Sequence, residues 1–284
     1  MYAEFYGLRA LPFQLTPDKR FFYPSQIHKR ALAYLTYGLQ KSEGFVVITG
    51  DVGTGKTILV DYLLSLIDAE HYCTSKLVTT QMGPDDTLRM VASGFGLDLA
   101  GAQKSTIIRQ LEKFFTEVRR RRISPVIIVD EVQNLPRASL EELRMLSNCR
   151  CEDTPLVQTF LLGQTQFRDV LARGALEQLK QRVVASSHLR PLSPEEMRGY
   201  VEHRLHTVGW IDNPILSKDV FSLVYTETGG IPRRINMVFD RLFLLGYVEE
   251  RHEIGADLVE IVMRELKHEG LLPEPAPSEG ERGP

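Results

Sequence analysis

Gly50-Asp51-Val52-Gly53-Thr54-Gly55-Lys56-Thr57 is the stretch that decides the fold. It comes after the apolar run Phe45-Val46-Val47-Ile48 and opens an amphipathic stretch from Ile58 to Ile67. The order is therefore strand, glycine-rich loop, helix, which is the context that the phosphate-loop pattern G-x-x-x-x-G-K-[ST] requires. The glycines let successive backbone N–H groups curl around phosphate oxygens, and the helix N-terminus adds a favourable dipole. Lys56 is expected to reach the β- and γ-phosphates, and the Thr57 hydroxyl to hold Mg²⁺. The nucleotide-contacting run is taken as Gly50, Asp51, Val52, Gly53, Thr54, Gly55, Lys56, Thr57 and Ile58.

Composition sets the frame around this loop. At 284 residues, with 43% hydrophobic and 25% charged residues, the chain reads as globular and about two domains long. A net charge of −3 gives no global field demanding nucleic acid or anionic membrane. Cys73, Cys149 and Cys151 form neither two C-x-x-C pairs nor a disulfide framework, so reduced thiols are expected. No apolar run approaches the roughly 18 residues of a membrane span. The N-terminus has no basic region followed by an apolar one, so a secretory signal is not expected. A cytoplasmic location is expected, with peripheral attachment at the inner membrane left open.

Residues 1–43 are aromatic-dense and proline-punctuated, with Phe5, Tyr6, Phe13, Phe21, Phe22 and Tyr23 among Pro12, Pro17 and Pro24. From Ser25 a helical period sets in, carried by Ile27, Ala31, Tyr34, Leu35 and Leu39. This segment is expected to pack on the nucleotide-binding core. Its aromatics either stack on an adenine or pad the open side of the sheet.

Beyond the loop, Lys76–Thr80 reads as a strand, Pro84–Phe95 and Ser105–Arg122 as helices. The second helix ends in Arg119-Arg120-Arg121-Arg122. Cations at a helix C-terminus are stabilising there, which is the plainer reading; the alternative is a patch for phosphate of nucleic acid or lipid. Val126-Ile127-Ile128-Val129 then delivers Asp130 and Glu131. Four β-branched residues in a row suit a strand buried on both faces of a parallel sheet, and ligands bind beyond the C-terminal edges of such strands. Asp130 is expected to hold Mg²⁺ through its water shell. Glu131 is expected to polarise the water that attacks the γ-phosphate. Leu156–Gln164 is the next strand, and Gln164 at its end is placed either to sense the γ-phosphate or merely to make a turn. Leu176–Arg182 ends a helix, and Val183–Ser187 is a fifth strand. Strands alternating with helices over residues 44–190 imply a doubly wound parallel five-stranded sheet.

From Leu192 the periodicity is helical throughout, with helices near 194–208, 217–228, 232–248 and 256–267. Ser193-Pro194-Glu195-Glu196 is an N-cap with early proline and acids. Pro232 places Arg233 and Arg234 in the first turn of the third helix, where they oppose the dipole and call for an anion. The expected division is a lead segment 1–43, an α/β domain 44–190, a helical lid 191–268 and a disordered tail 269–284.

Taken together, these parts resemble the AAA+ P-loop ATPases, and within them the general-secretion ExeA-type ATPases. The resemblance rests on Phe5-Tyr6-Gly7-Leu8, Pro12-Phe13, Gly50–Thr57, Asp130-Glu131-Val132-Gln133-Asn134-Leu135 and Gly229–Asn236. A narrower likeness is to the secretion ATPase associated with exosortase (PEP-CTERM) loci. It is carried by Thr79-Thr80-Gln81, Leu88–Ala92, Leu143–Asn148 and Phe160-Leu161-Leu162-Gly163-Gln164. It implies an Mg²⁺-dependent ATPase that powers or regulates an envelope secretion or exopolysaccharide export system. It further implies that Arg182 is an arginine finger reaching a neighbour's γ-phosphate, although Arg182 could simply pair with Glu177. Arg233, or less readily Arg234, would be the nucleotide sensor on the lid. A finger acting in trans requires an oligomer, a ring taken as a hexamer. The family's proline after Gly163-Gln164 is Thr165 here. The ExeA-type membrane span and peptidoglycan-binding region fall outside this sequence, so cell-wall binding is not expected of it. The competing reading is an ATP-dependent DNA-binding regulator of the transposition type, favoured only by Arg119–Arg122.

Overall fold

The computed structural model describes residues 1–68, 70–78, 81–172 and 176–272. The chain divides into two compact units, Gln26–Arg190 and Met1–Ser25 with Pro191–Pro284.

The first unit is the α/β one. Its order is α1 (Gln26–Lys41), β1 (Phe45–Gly50), α2 (Lys56–Leu66), β2 (Tyr72–Leu77), α3 (Pro84–Gly94), α4 (Lys104–Arg120) and β3 (Ser124–Val129). Then come α5 (Arg137–Leu146), a short hairpin of Arg150–Cys151 with Thr154–Pro155, β4 (Gln158–Gly163), α6 (Thr165–Ala172), a turn of helix at Glu177–Lys180 and β5 (Val183–Leu189). The five main strands form one parallel sheet in the order β2-β3-β4-β1-β5. Every residue of β1 and β4 is buried, as expected for central strands covered by helices on both faces. One face packs on Leu88, Val91, Ile107, Leu111, Phe115, Leu140 and Leu143.

The register fixes where each strand hands over to its loop. Thr49 lies opposite Gly163, Val129 opposite Leu161, and Gly50 opposite Leu189. The residues after β1, β3 and β4 therefore emerge at one edge of the sheet.

The second strand begins and ends earlier than the sequence pattern suggests. Tyr72 pairs with Ser124 and Leu77 with Val129, so pairing with β3 selects residues 72–77. The polar run Thr74-Ser75-Lys76 masks it, yet β2 is an edge strand and Ser75 is buried with its hydroxyl donating to the Val91 carbonyl at 3.0 Å. The expected strand end at Thr79-Thr80 lies outside the described residues.

The second unit is helical, with α7 (Pro194–Thr207), α8 (Lys218–Thr228), α9 (Pro232–Val248) and α10 (Ala256–His268). Ser193 caps α7, as its sequence foretells, and does so in a reciprocal box with Glu196. The lead segment corrects the expectation that residues 1–43 pack as one piece on the nucleotide-binding core. Residues 1–25 belong with the helices, and only α1 joins the sheet. Tyr2, Tyr6, Phe13 and Phe21 are buried in the helical core. Phe13 sits with its ring centroid 5.2 Å from Phe239 and 5.4 Å from Phe243. Arg204 is buried here too; its Nε donates to the Pro12 carbonyl at 2.5 Å and its guanidinium covers the Phe21 ring at 4.5 Å. Small helices offer too little apolar surface of their own, and the aromatics of the lead segment fill the space between them. The helical unit also extends past the expected boundary, since Leu272 is buried against it; residues 273–284 of the expected disordered tail are outside the described ones.

Replacing Phe13 by Ala removes a fully buried ring from this core. We expect a loss of about 3–5 kcal/mol, seen as a lowered urea midpoint in far-UV circular dichroism. An unchanged midpoint would show that the segment is not part of the core.

Candidate functional site

The loop between β1 and α2 is shaped by glycines at which a side chain would be strained or crowded. Gly55 has φ +95°, in the left-handed region, and a Cβ there would meet His28 Nε2 at 3.1 Å. A Cβ on Gly50 would come within 2.7 Å of the Leu189 carbonyl. These are tight backbone approaches, and they aim the N-terminus of α2 at the sheet edge. Inside the loop, the Thr54 hydroxyl donates to the Asp51 carbonyl at 2.8 Å. His28, buried on α1, lies with Nε2 3.1 Å from the Thr54 carbonyl, so the first helix braces the loop from behind.

Lys56 is 5% exposed, and its ammonium donates to the carbonyls of Gly50 and Asp51 at 2.8 and 3.0 Å. Burial pulls its pKa below the usual lysine value, and the nearby Glu131, Asp130 and Asp51 oppose that shift. Thr57 Oγ1 donates to Asp130 Oδ2 at 2.8 Å, joining the loop to the end of β3. Asp130 also accepts from the Glu131 amide at 2.9 Å.

Glu131 adopts φ +51°, an uncommon left-handed conformation for a non-glycine residue. Its carboxylate accepts from Gln133 Nε2 at 2.5 Å and from Gln164 Nε2 at 3.1 Å. The Gln164 amide N–H in turn donates to Gln133 Oε1 at 2.9 Å. Gln164 therefore touches Glu131. Thr165, which stands where the related family has proline, donates from its hydroxyl to Asp51 Oδ1 at 2.7 Å. Sequence reasoning missed His28, Gln133 and Thr165 as parts of this site. Gln133, two residues beyond Glu131, was the one open to notice.

The oxygens of Thr57 and Asp130 suit a hard divalent cation that keeps most of its water and takes phosphate oxygens. Among the described residues no cluster of three or more His, Cys, Asp or Glu side chains could hold a metal by itself. Phosphate oxygens of a nucleotide would complete the shell of such a cation, as is usual for Mg²⁺.

The arginines singled out in the sequence fall in three places. The Arg182 carbonyl accepts from the Phe45 amide at 2.9 Å, so Arg182 stands beside the first residue of β1, while the phosphate loop begins at its last. At roughly 3.3 Å per residue that is about 17 Å along the strand. Arg182 lines a groove of about 590 Å³ with Arg144, Gln178 and Gln181, and Glu177 pairs instead with Lys180 at 3.8 Å. Arg233 and Arg234 open α9 in the helical unit, the first exposed and the second half-buried. Among the described residues neither side chain has an ion-pair or hydrogen-bond partner. The arginine run at the end of α4 is partly structural: Arg119 donates to Ser124 Oγ and to the Pro155 carbonyl, and Arg121 pairs with Glu117 at 2.6 Å.

Known proteins resemble this chain in sequence and in fold. A family model for the AAA domain matches residues 39–171. General secretion pathway protein A of Aeromonas hydrophila is 34% identical over 256 residues, covering 89% of this chain and 46% of that protein. The chain thus spans about half the length of the curated relative it matches. Among solved structures, the ORC2 protein of Aeropyrum pernix superposes with a TM-score of 0.64 at 17% identity, over 87% of this chain and 72% of that one. Cdc6p from Pyrobaculum aerophilum gives 0.66 at 13% identity, over 93% and 70%. The Thermotoga maritima RuvB branch migration motor gives 0.56 at 16%, over 89% and 74%. At such identities the likeness is one of fold.

His28→Ala removes the brace behind Thr54. We expect ATP affinity to fall about 5–30-fold, the equivalent of a buried hydrogen bond worth about 1–2 kcal/mol, measured by calorimetric titration. Affinity within about twofold of the parent would exclude the bracing role.

Proposed function

We propose that the chain hydrolyses ATP with Mg²⁺ at the edge where Lys56, Thr57, Asp130, Glu131 and Gln164 meet, a reading supported by the match of residues 39–171 to the AAA-domain model and by the likeness of fold. The observation that carries this reading is the hydrogen-bonded chain from Thr57 to Asp130 and from Gln164 to Glu131. In it the loop N–H groups and Lys56 bind the phosphates, and Thr57 with Asp130 holds the cation. Glu131 takes up a proton from the attacking water, and its carboxylate is oriented by Gln133 and Gln164. The bound cation supplies charge neutralisation on the phosphate oxygens.

Arg182 stands at the opposite end of β1, too far along the strand to serve its own site. It therefore acts on the nucleotide of a second copy, and a ring of copies, taken as a hexamer, satisfies every site in turn. Arg233 senses nucleotide from the helical unit, with Arg234 second to it. In the cell, hydrolysis powers or regulates an envelope secretion or polysaccharide export system of the exosortase-associated kind, from the cytoplasm at the inner membrane. The 34% identity to a general secretion pathway protein supports the secretion part of that reading. Among the described residues no helix is long and apolar enough to cross a membrane.

Two substitutions test the chemistry. Glu131→Gln is expected to keep ATP affinity within about threefold and lower turnover roughly 10²–10⁴-fold, as loss of a general base does. Arg182→Ala is expected to keep affinity likewise and, as loss of an arginine finger does, to cost roughly 10³–10⁵ in turnover. Steady-state phosphate release and nucleotide titration separate the two effects. Undiminished turnover in Glu131→Gln would contradict the assignment of the base.

A further inference from the structure

A second groove lies along α4, of about 730 Å³, walled on one side by Arg109, Glu112, Lys113, Thr116, Glu117 and Arg120. The other wall is Cys149, Arg150 and Leu156, around the short hairpin. The helix buries Ile107, Leu111 and Phe115 toward the sheet core. The spacing of residues 109, 113, 116 and 120 keeps them on one stripe of the helix, about 16 Å long at 1.5 Å per residue.

Charge in this groove is unbalanced in a specific way. Its acids are tied into the structure: Glu117 pairs with Arg121 at 2.6 Å, and Glu112 accepts from the Cys149 thiol at 3.7 Å. That thiol stays protonated at neutral pH, since burial and then Glu112 push its pKa up to about 12. The cations are not tied. Arg109, Lys113, Arg120 and Arg150 are exposed, and among the described residues none of their side chains has a carboxylate or hydrogen-bond partner. Four such cations in a concave channel ask for an extended anionic chain.

The lining also says which kind. No aromatic ring lines the groove, so it lacks the stacking platform that single-stranded nucleic acid uses. The net charge of −3 gives no long-range pull on a polynucleotide. Two wall carboxylates repel an evenly charged phosphodiester but accommodate a peptide in which acids alternate with other residues. Arginine forks match carboxylates in bidentate geometry. We propose that this groove binds an extended acidic segment of a partner protein, about five residues of it crossing α4 at roughly 3.3 Å each. The inference is independent of the ATPase reading, because none of the residues at the phosphate loop contributes.

The test is fluorescence anisotropy of the full chain with a fluorescein-labelled peptide of alternating glutamate and serine, about ten residues long, at low salt. An oligothymidylate of equal charge and phosphatidylserine vesicles serve as competitors. The peptide is expected to bind and to be weakened by salt, and Arg109→Glu/Arg150→Glu to lower its affinity roughly 10-fold or more. The control reversal Lys218→Glu/Arg264→Glu, on the helical unit, should stay within about twofold. If the reversed variant fails to fold by circular dichroism, Arg109→Gln/Arg150→Gln is read instead, with the same direction expected. Absence of peptide binding, equal loss in the control, or displacement of the peptide by a lower concentration of oligothymidylate or vesicles would overturn the proposal.

Discussion

The parallel register of β3, β4 and β1 is the constraint on which the rest depends. With Val129 opposite Leu161 and Thr49 opposite Gly163, all three strands end at the same edge, β3 two residues before β4. Asp130, Gln164 and the phosphate loop consequently emerge side by side. Antiparallel pairing of any one strand would send its following residues to the far edge. The strands can hold this register because their residues are buried on both faces, so a slip would expose apolar side chains and bury polar ones. The polar residues beyond the strand ends are then free to bond with one another. The hydrogen bond between Thr57 and Asp130 is the result.

The same register separates the two ends of the sheet. Lys56, Thr57, Asp130 and Glu131 lie at the C-terminal edge, whereas Arg182 lies beside Phe45 at the N-terminal edge. A single α/β unit thus presents a receptor for nucleotide at one end and a guanidinium at the other. This polarity suits head-to-tail association, in which each copy completes the next. The helical unit has its own core, built around buried rings from residues 1–25.

Much of this was legible in the sequence because the signals were local. The loop pattern between an apolar run and a helix, and four β-branched residues before Asp130-Glu131, announce the fold and its edge. The N-cap at Ser193 and the position of Pro232 bound the helices of the second unit closely. What escaped reading was long-range. Nothing near Tyr72 marks the start of β2, because pairing with Ser124 sets it. The aromatics of the lead segment look the same whether they pad a sheet or fill a helical core. Only the tertiary partners Phe239 and Phe243 decide. His28 joins the loop across 26 residues of sequence, and a lone histidine on a helix face carries no such message. Thr165 appeared only as a departure from a family pattern, and its bond to Asp51 gives that departure a role in holding the loop.

Mixing two inactive chains tests the account most directly. Glu131→Gln retains Arg182, and Arg182→Ala retains Glu131, so joint assembly regenerates sites that hold both groups. The predicted result is a rise in phosphate release on mixing, toward roughly a quarter of the activity of the unaltered chain under random assembly, growing with protein concentration. Activity that remains the sum of the two separate chains at all concentrations would contradict it.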